Sequence, residues 1–138
     1  MRTLVGVIPL AVAVCLTGCG GGSAVNHPES AASCAGPKLT LSPHAARAGA
    51  SVWANGEYFA ADCYDTGQRG RPPALTGLHL SVVQNGKTWR VASDVRAAHH
   101  LYRFHVQIAL PSELRPGTAI VRVDGYGPPA TLHIQRDK

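Results

Sequence analysis

The chain has 138 residues, and its 45% hydrophobic content is ordinary for a globular protein. Thirteen basic against eight acidic residues give a formal net charge of +5, but the bases are scattered along the chain. Nucleic-acid sites carry clustered bases with interleaved aromatic residues, so nucleic acid is excluded as the expected partner. Fifteen glycines and ten prolines, with only 15% charged residues, favour turns and β structure over exposed helix.

Residues 1–18 have the order of a secretory signal peptide. A basic residue, Arg2, precedes an apolar run over residues 4–16. This run is too short to span a membrane, but it has the length of a signal-peptide hydrophobic region. Cys15 lies inside the run and is expected to be removed with it. The sequence therefore predicts export.

The apolar run ends in Leu16, Thr17, Gly18 and Cys19. This tetrapeptide resembles the lipobox of bacterial lipoproteins, and the resemblance implies diacylglycerol on the Cys19 thiol and cleavage just before Cys19. Two or more acyl chains hold a protein firmly on a bilayer. The expected location is therefore the extracytoplasmic face of the cell membrane. The alternative is a chance cysteine after an ordinary signal peptide.

Residues 19–36 are predicted to be the lipidated N-terminus and a flexible tether, because they are small and polar without apolar periodicity. Two further cysteines, Cys34 and Cys63, remain after cleavage. An even pair in an oxidising compartment predicts a disulfide. A reactive thiol pair or half of a metal site is the alternative, although the CxxC spacing typical of both is absent.

Residues 37–138 are predicted to form one all-β domain. Short runs with alternating apolar and polar residues are separated by Gly, Pro, Asn and Asp. Asn85 and Gly86 tolerate the positive φ angles of a two-residue turn, so the runs around them are expected to pair as a hairpin. About seven strands and no helical stripe indicate a sandwich of two sheets. The predicted strands are residues 38–42, 51–58, 77–84, 87–95, 102–110, 118–124 and 130–136.

Several short segments have the order found in one family of domains. They are LSP at residues 41–43, AGASVWANG at 48–56, WRV at 89–91, FHVQI at 104–108, and PGT at 116–118. Together they resemble the bacterial Ig-like domains of the IPT/TIG type, with Ala48 where Pro is usual. The resemblance implies an Ig-like β-sandwich, a fold that serves adhesion, scaffolding and ligand binding. It supplies no active-site residue and no cofactor.

Seven histidines raise a metal-binding alternative. His79 and His105 occupy outward strand positions where they are expected to face each other, and the pair His99-His100 offers a third ligand for zinc or copper. No HxH or HxxxH spacing supports this alternative, so surface histidines without a metal are favoured. The seven are His27, His44, His79, His99, His100, His105 and His133.

No residue pattern points to catalysis. No serine lies in a G-x-S-x-G elbow, and Glu57, Asp62 and Asp65 lack the setting of an acid–base pair. Trp89 is predicted to fill the space between the two sheets. The sequence therefore favours a non-catalytic, membrane-anchored module that binds an envelope protein or polysaccharide, or serves as an accessory subunit.

Overall fold

The structure, a computed structural model, describes residues 35–63, 70–98 and 100–137. The predicted signal peptide, most of the predicted tether, and the cysteines Cys19 and Cys34 lie outside these residues. Among the residues that the structure describes, no helix has the length and hydropathy that a membrane crossing requires.

The described residues form an all-β fold, as the sequence predicts. All seven predicted strands are present, and the largest shift is in the last one, which begins at Tyr126 instead of residue 130. One further strand, formed by residues 45–47, was not predicted, because three residues are too few to show alternation. The strands are β1 (Lys38–Ser42), β2 (Ala45–Arg47), β3 (Ser51–Glu57), β4 (Leu78–Gln84), β5 (Lys87–Val95), β6 (Phe104–Ala109), β7 (Gly117–Val123) and β8 (Tyr126–Gln135).

These strands form two sheets. One has three antiparallel strands in the order β1-β3-β6, and the other has five in the order β2-β8-β7-β4-β5. All neighbours in the larger sheet are antiparallel except β2, which lies parallel to β8. The chain passes from the smaller sheet to the larger between β1 and β2, at Pro43 and His44.

One hydrophobic core is shared by both sheets. Its fully buried members come from the smaller sheet, such as Val52 and Ile108, and from the larger, such as Leu80, Val121 and Leu132. These residues occupy alternate positions of their strands, so the residues between them point away from the core. The two-residue period thus fixes which side chains point into the shared core and which point away from it.

The prediction that Trp89 fills the space between the sheets is confirmed only in part, because Trp89 packs against the core from the edge of its sheet. Trp89 pairs with the fully buried Val82 and lies on the core side of β5, but β5 is the edge of its sheet, so Trp89 is only half-buried. Within the described ranges, the buried aromatic rings are those of Phe59, Tyr102 and Phe104.

The predicted hairpin at Asn85-Gly86 is confirmed. Both residues have positive φ, 49° and 78°, and Gln84 pairs with Lys87 across the two-residue turn. Gln84 is buried, and its side chain is hydrogen-bonded on both sides. Its Nε2 donates to the Arg115 carbonyl at 2.8 Å, and its Oε1 accepts from the Arg115 N–H at 2.8 Å. The hairpin is therefore tied to the loop that precedes β7.

Gly56 fixes how β3 and β6 lie against each other. It pairs with Phe104, and the phenyl ring covers the glycine so closely that a Cβ on residue 56 would lie 2.1 Å from a ring carbon. The Phe104 ring also packs on Phe59, with centroids 5.0 Å apart. No residue with a side chain fits at position 56 unless the ring moves.

Replacing Gly56 with alanine is therefore expected to lower the free energy of unfolding by about 3 kcal/mol, because overpacking displaces a core ring. Gly36→Ala is the matched control, since a Cβ on residue 36 would meet no atom within 4 Å; its unfolding free energy should change by less than about 0.5 kcal/mol. Urea unfolding of both variants measures the difference, and equal stabilities would contradict the described packing.

Candidate functional site

The outer face of the three-stranded sheet is exposed along its length. The register aligns Asn55 with Thr40 on one side and with His105 on the other. In the next row, it aligns Trp53 with Ser42 and with Gln107. Partners in a row project from the same face. We call this surface the tryptophan face, and its residues are Thr40, Ser42, Ser51, Trp53, Asn55, His105 and Gln107.

Trp53 and His105 are stacked at the centre of the tryptophan face. Their ring centroids are 4.2 Å apart, and the planes differ by 9°. The two residues are diagonal neighbours on adjacent strands, a distance that large rings can bridge. Trp53 nevertheless remains 40% exposed. A large apolar ring is thus held flat against a neighbour while part of its surface faces solvent.

A hydrogen bond fixes the His105 ring from the other side. Nδ1 of His105 bonds to Oδ1 of Asn55, its direct partner across the strands. Because an amide oxygen only accepts, Nδ1 carries the proton, and Nε2 is the acceptor in the neutral ring. Asn55, His105 and Trp53 form a chain of contacts on the surface that holds the indole in one orientation.

Charged side chains on this sheet are confined to one end of it. Arg103 Nη2 lies 3.0 Å from Glu57 Oε1, and Lys38 is the partner of Glu57 across the strands. An open groove of ≈ 490 Å³ lies beside this pair and beside His105. Apart from His105, the tryptophan face itself carries only uncharged polar side chains around the indole.

The backbone at this end of the groove is held in an uncommon conformation. Tyr58, Leu101 and Tyr102 all have positive φ, at 64°, 52° and 50°. The N–H of Tyr58 donates to the Leu101 carbonyl at 3.0 Å, and that of Phe59 donates to the Tyr102 carbonyl at 3.1 Å. Left-handed residues other than glycine persist only where the surroundings over-determine them. These bonds continue the pairing of β3 and β6 past Gly56.

A second surface with an exposed aromatic residue lies on the larger sheet. Tyr126 is 40% exposed and lines an open groove of ≈ 630 Å³ with Val83, Ile120 and Arg122. Tyr126 stands at the turn between β7 and β8, and the next residue, Gly127, lies against Pro37. This groove is therefore at the end of the domain where the N-terminal segment joins it.

A serine, an aspartate and a histidine also lie near this turn. Ser81 Oγ donates directly to Asp124 Oδ2 at 2.8 Å, and Arg122 Nε lies 3.3 Å from the other carboxylate oxygen. His79 is two residues from Ser81, but its buried Nδ1 has no hydrogen-bond partner. Ser81 is 2% exposed. Ser81 is thus buried and donates directly to a carboxylate, whereas a serine nucleophile is hydrogen-bonded to the base that activates it.

The structure contradicts the expected pairing of His79 with His105. His79 belongs to β4 of the larger sheet and His105 to β6 of the smaller, and both point away from the shared core. They therefore lie on opposite faces of the domain. His99 lies outside the described residues, and within those residues no three His, Cys, Asp or Glu side chains are grouped as metal ligands.

The predicted disulfide stays a prediction, because Cys34 lies outside the described residues. Cys63 is half-buried, and its N–H is hydrogen-bonded to Asp62 Oδ1 at 2.7 Å. Lys38 at the start of β1 pairs with Glu57 at the end of β3. The chain before β1 and the chain after β3 consequently leave the same end of the domain.

Comparisons of the chain with protein-family models, curated proteins and solved structures give no match. The residues and geometry of the site are therefore the observations that bear on function. From the sequence, His105 is interpreted as a surface histidine, with a metal ligand as the alternative, and Trp53 is not singled out as a site residue. The alternation of β3 places Trp53 between the apolar Val52 and Ala54, and this signal marks it as an outward residue.

If the stack orients the indole, Trp53 and His105 should be energetically coupled. A double-mutant cycle with Trp53→Ala and His105→Ala is expected to give a coupling of about 0.5 kcal/mol or more in unfolding free energy. The control cycle pairs Trp53→Ala with His133→Ala, an exposed histidine of the other sheet, and should give additive changes. Additivity in both cycles would show that the stack contributes nothing.

Proposed function

We propose that the chain is an extracytoplasmic lipoprotein, anchored through lipid on Cys19, whose all-β domain is a non-catalytic module that binds a component of the cell envelope. The tryptophan face is its binding surface. The observation that carries the proposal is Trp53, which is 40% exposed and stacked on His105. Tryptophan is enriched among the residues that contribute most to binding.

The cost of ordering the exposed side chains supports this role. Holding a surface side chain in one rotamer costs conformational entropy, and neither Trp53 nor His105 contributes to the shared core. A surface that is already ordered loses less entropy when a partner binds. The stack on the tryptophan face is therefore typical of a pre-organised binding surface.

The position of Trp53 relative to the tether supports the same assignment. Trp53 pairs with Ser42, the last residue of β1, whereas the tether joins the domain just before Lys38, the first. The four-residue separation corresponds to roughly 14 Å along the strand. The indole is thus set back from the anchored end, where it is accessible to envelope material above the membrane.

The strand order supports an Ig-like sandwich as the specific form of the fold. In Ig domains, strands A, B and E share one sheet, and G, F, C and C′ share the other. The orders β1-β3-β6 and β8-β7-β4-β5 correspond to these, and β5 leads directly to β6 without a strand D. We include this Ig-like architecture in the proposal.

Two variants of the full chain, expressed in a bacterium that lipidates its own lipoproteins, test the anchor. Cys19→Ser should move the protein from the membrane fraction to the soluble fraction, because the acyl chains supply the attachment. Cys15→Ser is the matched control and should stay with the membrane. A Cys19→Ser protein that remains on the membrane, with no acyl mass on the wild type, would contradict the proposed anchor.

The same preparations test the binding surface. The wild-type chain, purified in detergent, should be retained on isolated envelopes of the bacterium that encodes it, and Trp53→Ala should weaken retention by about ten-fold. Tyr126→Ala removes the other aromatic residue that is equally exposed among the described residues and should leave retention unchanged. Absence of retention for the wild type, or equal loss in both variants, would overturn the assignment of this surface.

A further inference from the structure

We propose that the tryptophan face binds a neutral polysaccharide chain of the cell envelope, with one sugar ring stacked on Trp53. The inference rests on the proposed function and names its ligand class. A sugar ring has a flat side of C–H groups and a rim of hydroxyl groups. A site for it therefore needs one exposed aromatic ring and several uncharged hydrogen-bonding side chains close by.

The aromatic ring is supplied by Trp53. Stacking on His105 covers one side of the indole and leaves the residue 40% exposed. The neighbours of Trp53 in its row and strand include Ser42 and Ser51, both exposed and both small. Small neighbours leave room for a planar group beside the indole. C–H groups of a sugar pack favourably there because both surfaces are apolar.

The hydrogen-bonding groups come from the same two rows of the sheet. Gln107 lies directly opposite Trp53, and Asn55 and Thr40 lie side by side in the adjacent row. Hydroxyl and amide groups both donate and accept, as sugar hydroxyls do. Residues Ser51–Glu57 of β3 extend for roughly 20 Å at strand spacing. The surface is long enough for more than one sugar unit.

The arrangement of charge selects a neutral ligand over a charged one. The cations at the end of this sheet, Lys38 and Arg103, both adjoin Glu57, and Arg103 is ion-paired with it at 3.0 Å. Apart from the His105 ring, the residues around the indole carry no charge that would attract an acidic polymer or nucleic acid. A polyanion would require several unpaired cations along the face.

The test compares the full lipidated chain, in detergent, on envelopes treated in two ways. Periodate cleaves the carbon–carbon bonds of vicinal diols in sugars, and protease removes envelope proteins. Retention should persist on protease-treated envelopes, where Trp53→Ala should still weaken it about ten-fold. Retention should fall about ten-fold or more on periodate-treated envelopes. Envelopes exposed to pre-quenched periodate are the matched control.

A second measurement confirms that the sugar acts at Trp53. In a Trp89→Phe chain, Trp53 is the only tryptophan, and neutral sugar chains released from the envelopes should shift its fluorescence with saturation. Retention that survives periodate but is lost after protease would overturn the polysaccharide ligand and leave a protein-binding module. Absence of retention on every envelope would overturn the proposed function as well.

Discussion

The register between β3 and β6 is the constraint on which the candidate site depends. Gly56 lies under the Phe104 ring, and this close contact allows only one alignment of the two strands. A shift by one residue would reverse every side chain of a strand relative to the core. In the observed alignment Val52, Ala54 and Gly56 are buried, and Trp53 is placed outside. A core contact therefore determines what the surface presents.

The outward residues form a connected surface because the same register brings them together. Asn55 is placed opposite His105, where the two side chains bond, and Trp53 is placed diagonally, where the rings stack. Tyr126, the other exposed aromatic residue in the described part of the chain, stands by the turn next to Pro37, where the N-terminal segment joins the domain. The two surfaces thus differ in their position on the domain. This difference favours the tryptophan face as the proposed binding surface.

Much of the fold could be predicted from the sequence, because it depends on local alternation and turn residues. The hairpin at Asn85-Gly86 needs only the two residues that adopt positive φ. Which strands lie next to each other in a sheet, by contrast, cannot be read from a local segment of the sequence. For that reason, β2 was missed, Trp89 was expected between the sheets although β5 is an edge, and His79 was placed beside His105 although their strands lie in different sheets.

The candidate site could not be predicted from the sequence either, because it too depends on which strands are neighbours. Trp53 and His105 are 52 residues apart in the chain, and their stack exists only because β3 and β6 are adjacent with one particular register. Each residue alone has an ordinary explanation, as a core tryptophan or a surface histidine. The proposed anchor at Cys19, by contrast, is predicted from one continuous segment of the sequence, and its recognition needs no knowledge of which strands are neighbours.

The most direct test of this account is the accessibility of Trp53 in the folded chain. In the single-tryptophan Trp89→Phe variant, acrylamide should quench the remaining fluorescence readily, and nuclear Overhauser contacts should join the Trp53 indole to the His105 ring. An indole that is shielded from acrylamide and contacts core residues such as Phe104 would contradict it, because β3 would then present its opposite side to solvent.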